Sequence, residues 1–432
     1  MELFRANSTL VDEHRPIELV AGGLGGDERY LVKKAAKGLR VAVYSHDTVG
    51  LGHLRRNMLI AETLLTAGSA TNVLLLTGVS EASRFRKPEG ADFLTVPSFQ
   101  KQTNRYESRS LDITTDELVQ LRSMSICAAL KAFRPDVFIV DKVPRGALGE
   151  LTPVLEELRS RGRTRCVLGL RDVLDEPEHV RTEWVSSASE AAIEAFYDAI
   201  WVYGDRAVYD PVREYGLSER VAEKVRFAGY LNRRDLSDSA WDPPSSGETV
   251  VPPGRFVLCT VGGGEDGEAL IRAFAQASLP AHTSGVILAG PFMPRRARDA
   301  IARLVASRSD LRLLDFVNDP DALLGAADRV IAMGGYNTVC EILAHEKRAL
   351  IVPRVSPRTE QLIRARRLAA LGLLSFCHPS DATPAALEKW MASDVSTPSP
   401  HGSVDLGAVA RLPGLIGELR LPGEHAARPE AL

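Results

Sequence analysis

The chain has 432 residues, 45% hydrophobic and 25% charged, a globular composition with enough length for two or three cores. Lys+Arg 53 against Asp+Glu 56 leave a formal charge of -3, which gives no electrostatic case for nucleic acid as the main partner. Cys127, Cys166, Cys259, Cys340 and Cys377 are odd in number, far apart and mostly inside apolar runs, so neither a metal-ligand spacing nor a disulfide framework is expected. No apolar run is long enough to span a bilayer and the N-terminus lacks the apolar core of a signal peptide. A cytoplasmic protein is expected, with peripheral membrane contact requiring only an exposed apolar patch.

Residues 1–37 mix charges, glycines and short apolar pieces without a period and read as an N-terminal extension. Residues 39–44 form a predicted buried strand, followed by a glycine-bearing loop and an apolar helical pattern through 65. Strands predicted at 72–77, 136–140, 165–170, 199–203 and 225–227 alternate with helical stretches such as 115–133 and 151–161. That alternation predicts a parallel sheet in a first domain over 38–231. The polar segment 87–112 reads as a loop over a cleft. From 232 to 254 the composition turns to Ser, Asp, Pro and Gly, with Pro243-Pro244 and Pro252-Pro253, as in an interdomain linker. A second domain over 255–395 opens the same way, with a strand at 255–261, the run Gly262-Gly263-Gly264-Glu265-Asp266-Gly267 and a helix through 277. Further strands are predicted at 286–290, 311–316, 329–332 and 350–352, and residues 396–432 form a closing helix and tail. The fold class is α/β, with two doubly wound Rossmann-like domains and an interdomain cleft.

Ligands of open α/β sheets bind beyond the carboxyl ends of the strands, so the polar residues there are the candidates. Gly50, Gly52, His53 and Arg56 follow the first strand, and Gly50, Gly52 and Arg56 are expected to meet the acceptor. Arg55 stands where a dinucleotide loop needs its third glycine, but a histidine at a helix start beside a cleft suits a general base. Asp141-Lys142 and Arg171-Asp172 follow two further strands and suit acceptor binding or support of a base, or form ordinary ion pairs. Gly262, Gly264 and Gly267 match a dinucleotide fingerprint in form. The next strand lacks the acidic residue a dinucleotide ribose needs, so a loop around one phosphate group, through Gly263 and Gly264, fits better. Residues 329–353 read as strand, turn at Gly334-Gly335, helix capped by Asn337 or Thr338, and strand. Backbone N–H groups at that helix start suit a diphosphate, and Glu341, one turn on, can accept both hydroxyls of a ribose. Arg364, Arg366 and Arg367 read as a solvated helix face.

Gly-Gly-x-x-Thr-x-x-Glu at 334–341, a proline at 353 and Glu360-Gln361 before a helix resemble the donor site of GT-B glycosyltransferases of the MurG-like, family 28-like type. The resemblance covers most of 38–395, with the specific motifs in the second half. It implies that Glu341 holds the ribose, Thr338 lies near the diphosphate, Glu360 and Gln361 face the sugar, and Phe316 and Val317 hold the nucleobase through backbone groups. Where that family commonly has two glutamines, Glu360 replaces the first. It further implies His53 near the reaction centre, with His46 as the alternative. The expected activity is hexosyl transfer from a nucleoside diphosphate sugar, UDP-linked, to a small-molecule or lipid-linked acceptor, inverting, with no metal and no cofactor. Gly-x-Gly-His-x-x-Arg is also similar to the loop of nucleotide-sugar hydrolases of the pseudaminic acid pathway. A hydrolase, an epimerase on the same fold and a silent binding protein are the alternatives.

Overall fold

The computed structural model describes residues 38–46, 52–80, 82, 87–102, 105–236, 251–315, 317, 320–394 and 399–419. The expected extension, most of the linker and the tail lie outside the described residues. Two parallel sheets carry the chain. The first comprises β1 (Arg40–Tyr44), β2 (Asn72–Thr77), β3 (Ala91–Thr95), β6 (Val137–Asp141), β7 (Arg165–Arg171), β8 (Ala199–Tyr203) and β9 (Val225–Phe227), in the order 3-2-1-6-7-8-9. The second comprises β10 (Arg255–Thr260), β11 (Thr283–Leu288), β12 (Leu311–Leu314), β13 (Arg329–Ala332), β14 (Arg348–Ile351) and β15 (Ser375–Phe376), in the order 12-11-10-13-14-15. Helices cover both faces, so the central strands are buried on both sides and read as unbroken apolar runs such as VFIVD and AIWVY.

The strand order reverses once in each sheet. In the first, β1 pairs β2 on one side and β6 on the other, with Tyr44 opposite both Leu76 and Val140. In the second, β10 lies between β11 and β13, with Thr260 opposite Leu288 and Ala332. Connections leave in opposite directions at such a point, so a crevice opens beyond the strand ends. The loops after β1, β6, β10 and β13 all border it.

The segment expected as a loop over 87–112 contains three strands instead. β3 extends the first sheet beside β2, and β4 (Phe99–Gln102) and β5 (Arg105–Ser108) form an antiparallel hairpin. Phe99 anchors that hairpin in a small core with Leu118 and Ala147. The edge position of β3 explains the difference, because an edge strand carries Asp92 and exposed residues where a central one is apolar. After β15 the chain returns to the first domain. The helix Ala408–Gly417 packs on the helix Gly52–Thr66, Tyr230 N–H donates to Asp405 O at 2.8 Å, and Arg411 Nη1 donates to Ala228 O at 2.5 Å. All five cysteines are free thiols, with Cys166, Cys259 and Cys340 buried. No helix among the described residues is long and apolar enough to cross a membrane.

Candidate active site

A cleft of about 940 Å³ lies between the two sheets' carboxyl ends. Its first-domain wall is made by the start of the helix Gly52–Thr66, the turn after β6 and the end of β7. Its second-domain wall is made by Gly262–Asp266 after β10, Met333–Thr338 after β13 and the stretch from Arg354 to Gln361 after β14.

His53 occupies the first wall. Its Nδ1 lies 2.5 Å from Asp141 Oδ2, and Asp141 Oδ1 accepts from Arg56 Nη2, also at 2.5 Å. Arg56 Nη2 approaches His53 Nδ1 to 3.1 Å. A guanidinium has only donors, and an unprotonated Nδ1 would set its lone pair against the carboxylate. The consistent tautomer therefore carries the proton on Nδ1, donates it to Asp141 and leaves Nε2 as the acceptor toward the cleft. Burial pushes the His53 pKa down to about 4 against the opposing pull of Asp141, so the ring is neutral at pH 7. Burial raises the Asp141 pKa, but Arg56 and then His53 outweigh it and hold the carboxyl well below its usual range. Asp141 is only 1% exposed, so it reaches the cleft through His53. His46, the alternative base, packs edge-on with its ring 6.0 Å from that of His53. Its Nδ1 is buried without a partner.

The second wall holds the residues expected to bind the donor. Gly334, with φ of 81°, makes the turn after β13; a Cβ there would sit 2.5 Å from Ile351 Cγ2. Gly335 rather than Asn337 or Thr338 is the N-cap of the helix Tyr336–Ala344, and no side chain caps it. The first-turn N–H groups therefore have no side-chain competitor at the helix's positive end. Asn337 Nδ2 reaches across to donate to Gly52 O at 3.0 Å. Thr338 and Glu341 line the cleft behind it, as do Gly263, Gly264 and Val317. Gly264 has φ of 92°, and a Cβ there would be 2.2 Å from Ala289 O. Glu360, 3% exposed, accepts from Arg354 Nη2 at 2.6 Å through Oε1, while Oε2 is buried with no partner. Burial raises its pKa, and Arg171 and Arg354 lower it further than that, so it is ionised. Gln361 Oε1 accepts from Arg354 N–H at 3.0 Å. Phe316 and Gly50 lie outside the described residues.

Of the remaining candidates, Lys142 and Arg171 line the first wall. Lys142 has φ of 69° and begins a turn in which Gly146, Leu148 and Gly149 also have positive φ. The turn is held from below: Tyr44 Oη donates to Glu150 at 2.6 Å and accepts from Ala147 N–H at 3.0 Å. Arg122 clamps Glu150 at 2.5 and 2.7 Å. Arg56, expected to meet the acceptor, uses its guanidinium on Asp141 and lies over the Tyr336 ring at 5.5 Å. Asp172, expected beside the base, does not line the cleft. It is fully buried, and accepts from Arg364 Nε at 2.8 Å, Arg364 Nη2 at 2.6 Å and Tyr230 Oη at 3.0 Å. Arg364 therefore corrects the expectation of a solvated arginine face; Arg366 and Arg367 are exposed, but Arg364 is at 0%. An ion pair this buried joins the two domains. Tyr336 supports the same contact by stacking on Tyr230, with centroids 6.2 Å apart.

Two residues lining the cleft escaped the sequence reading, Arg145 and Tyr336. Arg145 follows β6 closely, so the strand-end rule that selected Lys142 would have reached it, as it reached Arg354 and Arg358 after β14. Tyr336 carries no such signal, because its role depends on a neighbour from the other domain.

Residues 259–399 match the Glycosyltransferase family 28 C-terminal domain. Solved structures similar to this chain include the glycotransferase of kitacinnamycin, 17% identical over 89% of this chain and 95% of that chain, with TM-score 0.52. MurG of Acinetobacter baumannii is 15% identical over 89% of this chain and 96% of that chain, with TM-score 0.50. A putative UDP-N-acetylglucosamine 2-epimerase from Listeria monocytogenes is 11% identical over 89% of this chain and 98% of that chain, with TM-score 0.55. No curated protein matches the chain. At these identities the structural likeness establishes the GT-B fold, and the family match marks the second domain. The chain therefore has the GT-B fold, and within it the second domain is similar to the C-terminal domain of glycosyltransferase family 28.

Proposed function

We propose that the protein transfers a hexosyl group from a nucleoside diphosphate sugar, UDP-linked, to an acceptor hydroxyl by direct, inverting displacement without a metal. The observation that carries this reading is the position of the His53–Asp141 pair on one wall, facing the start of the helix Tyr336–Ala344, Glu341, Glu360 and Gln361 on the other. His53 Nε2 takes the proton of the acceptor hydroxyl, and the oxygen attacks the anomeric carbon. The bond from that carbon to the diphosphate breaks on the opposite face, and the nucleoside diphosphate leaves with the electron pair. Asp141 orients the ring and stabilises the imidazolium that forms. The N–H groups at the helix start meet the charge growing on the leaving diphosphate. Glu341 suits the ribose hydroxyls, the free Oε2 of Glu360 suits a sugar hydroxyl, and the nucleotide sugar is a substrate rather than a cofactor.

The test incubates the protein and a His53→Ala variant with uridine, thymidine and guanosine diphosphate sugars, with and without candidate acceptors, and follows products by mass spectrometry. Glycoside formation that depends on His53, survives a chelator and inverts the anomeric centre by NMR is expected. Free sugar at the same rate with or without every acceptor would identify a hydrolase, and an altered sugar still attached to nucleotide an epimerase. A protein that binds none of these nucleotides would overturn the reading.

A further inference from the structure

We infer that Tyr336 is a positioning residue for the base on the opposite wall: its ring holds the Arg56 guanidinium against Asp141 and so fixes His53 where it faces the donor helix. This rests on the transferase reading above and adds to it a residue that acts through another. In the run Gly-Gly-x-x-Thr-x-x-Glu at 334–341 the two open positions are Tyr336 and Asn337. Both reach the helix Gly52–Thr66 of the first domain, which carries His53 in its first turn. Asn337 Nδ2 donates to Gly52 O at 3.0 Å, and Arg56 Cζ lies 5.5 Å from the centre of the Tyr336 ring.

Tyr336 is the first residue of its helix and yet only 4% exposed, because groups from elsewhere enclose it. The Tyr230 ring stacks on it, Arg364 Cζ lies 5.6 Å from its centre, and Leu231 N–H donates to its Oη at 3.4 Å. Arg364 is itself fixed, by Asp172 and by Gly334 O in the donor turn. The ring therefore sits rigidly in the interface when Arg56 meets it. An arginine loses much rotamer freedom on being fixed, so a guanidinium kept in one place needs contacts beyond a single hydrogen-bonded edge. Asp141 supplies that edge, and the electron-rich face of Tyr336 supplies the rest, in a place where Arg56 is desolvated and a cation–π contact is at its strongest.

Arg56 in turn decides what Asp141 can do for His53. Its charge offsets that of the carboxylate and disfavours the imidazolium. The charged and titratable groups facing His53 are Asp141, Arg56, Arg171 and His46, and Arg56 is the one that the Tyr336 ring holds. Loss of the ring frees Arg56 to turn away, leaves Asp141 to stabilise the imidazolium and admits water beside the dyad. All of these changes favour the protonated ring. The base is then misplaced and partly protonated near neutrality. The diphosphate contacts persist, because backbone N–H groups rather than the tyrosine side chain make them.

The test labels the nine histidines with carbon-13 at Cε1 and follows the His53 signal, identified by its loss in His53→Gln, by NMR between about pH 8 and about pH 5.5. In wild type and in Tyr336→Phe, which keeps the ring, the signal should stay that of a neutral imidazole throughout. In Tyr336→Leu it should titrate within this window, toward the ordinary value of 6.5. In glycosyl transfer, Tyr336→Leu should lower kcat at least about tenfold with KM for the nucleotide sugar little changed, and Tyr336→Phe should restore it. A single cooperative thermal transition reports that each variant is folded, and Tyr336→Met supplies the ring-less comparison if Tyr336→Leu does not fold. A folded ring-less variant whose His53 signal matches wild type overturns the inference, as does a Tyr336→Phe that titrates like Tyr336→Leu. The signal needs no ligand. Absence of turnover or of nucleotide binding would remove the transferase reading, while the His53 signal would still decide whether Tyr336 positions that ring.

Discussion

At the scale of single residues, His53 and Lys142 are both half-buried bases lining the cleft whose pKa values lie below the ordinary ones, with different consequences. His53 must be neutral to accept a proton, and its pKa is about 4. The kcat/KM of the free enzyme should therefore stay flat from neutrality to about pH 5 and fall below that. An acid limb centred near 6.5 in a pH–rate profile would contradict the buried dyad. His53→Gln should lower kcat by roughly 10²–10⁴ while donor binding survives. For stability, a folded pKa below the unfolded value of 6.5 means the unfolded chain binds the extra proton, so acidification from 6.5 towards 4 destabilises the fold. Lys142 obeys the same sign over a different window. Its folded pKa of about 7 lies below the unfolded 10.5, so stability rises with pH between the two and the full cost of the buried charge persists below 7. Lys142→Met should raise Tm by roughly 1–3 °C at pH 6 and by less at pH 10, as read by differential scanning calorimetry.

At the scale of elements, the strand–turn–helix units after β10 and β13 depend on glycines for geometry that side chains cannot adopt. Gly264→Ala would combine a left-handed φ with a Cβ 2.2 Å from Ala289 O. A destabilisation of about 1–3 kcal/mol is expected, together with weaker binding of the proposed donor nucleotide, because the loop must shift away from Ala289. Thermal unfolding and UDP titration measure the two effects, and wild-type behaviour in both would show the loop to be more adaptable than its contacts imply. The central strands and the glycine turns were legible in sequence because burial on both faces leaves apolar runs that stop at polar loops. β3, β4 and β5 were not, since an edge strand and a hairpin lying on a helix keep polar residues. The true start of the helix at Tyr336 was also hidden, because Gly335 caps it without the side-chain acceptor that marks a helix start.

At the scale of the molecule, the two domains meet through Asp172–Arg364, Asn337–Gly52 and the Asp175–Arg358–Thr359 contacts. Removing either partner of the fully buried Asp172–Arg364 pair leaves a charge without compensation. Asp172→Asn and Arg364→Met should each destabilise the protein by about 3–5 kcal/mol, and Asp172→Leu with Arg364→Met should recover most of the loss. Calorimetric unfolding compares the three variants, and near-wild-type stability of the single variants would show that the pair does not hold the domains together.

Sequence alone determined two doubly wound domains, the strand ends that border the cleft and the run from Gly334 to Gln361 that resembles a donor site. Each is local: apolar periodicity, glycine turns and residue spacing are properties of contiguous chain. Only the tertiary structure decided which strand-end charges act on one another. Asp141 and Asp172 are indistinguishable in sequence, each flanked by a basic residue at the end of a buried strand. The fold sets one against His53, 88 residues away, and the other against Arg364, 192 residues away. Partners so distant in sequence are chosen by packing, which no local pattern records.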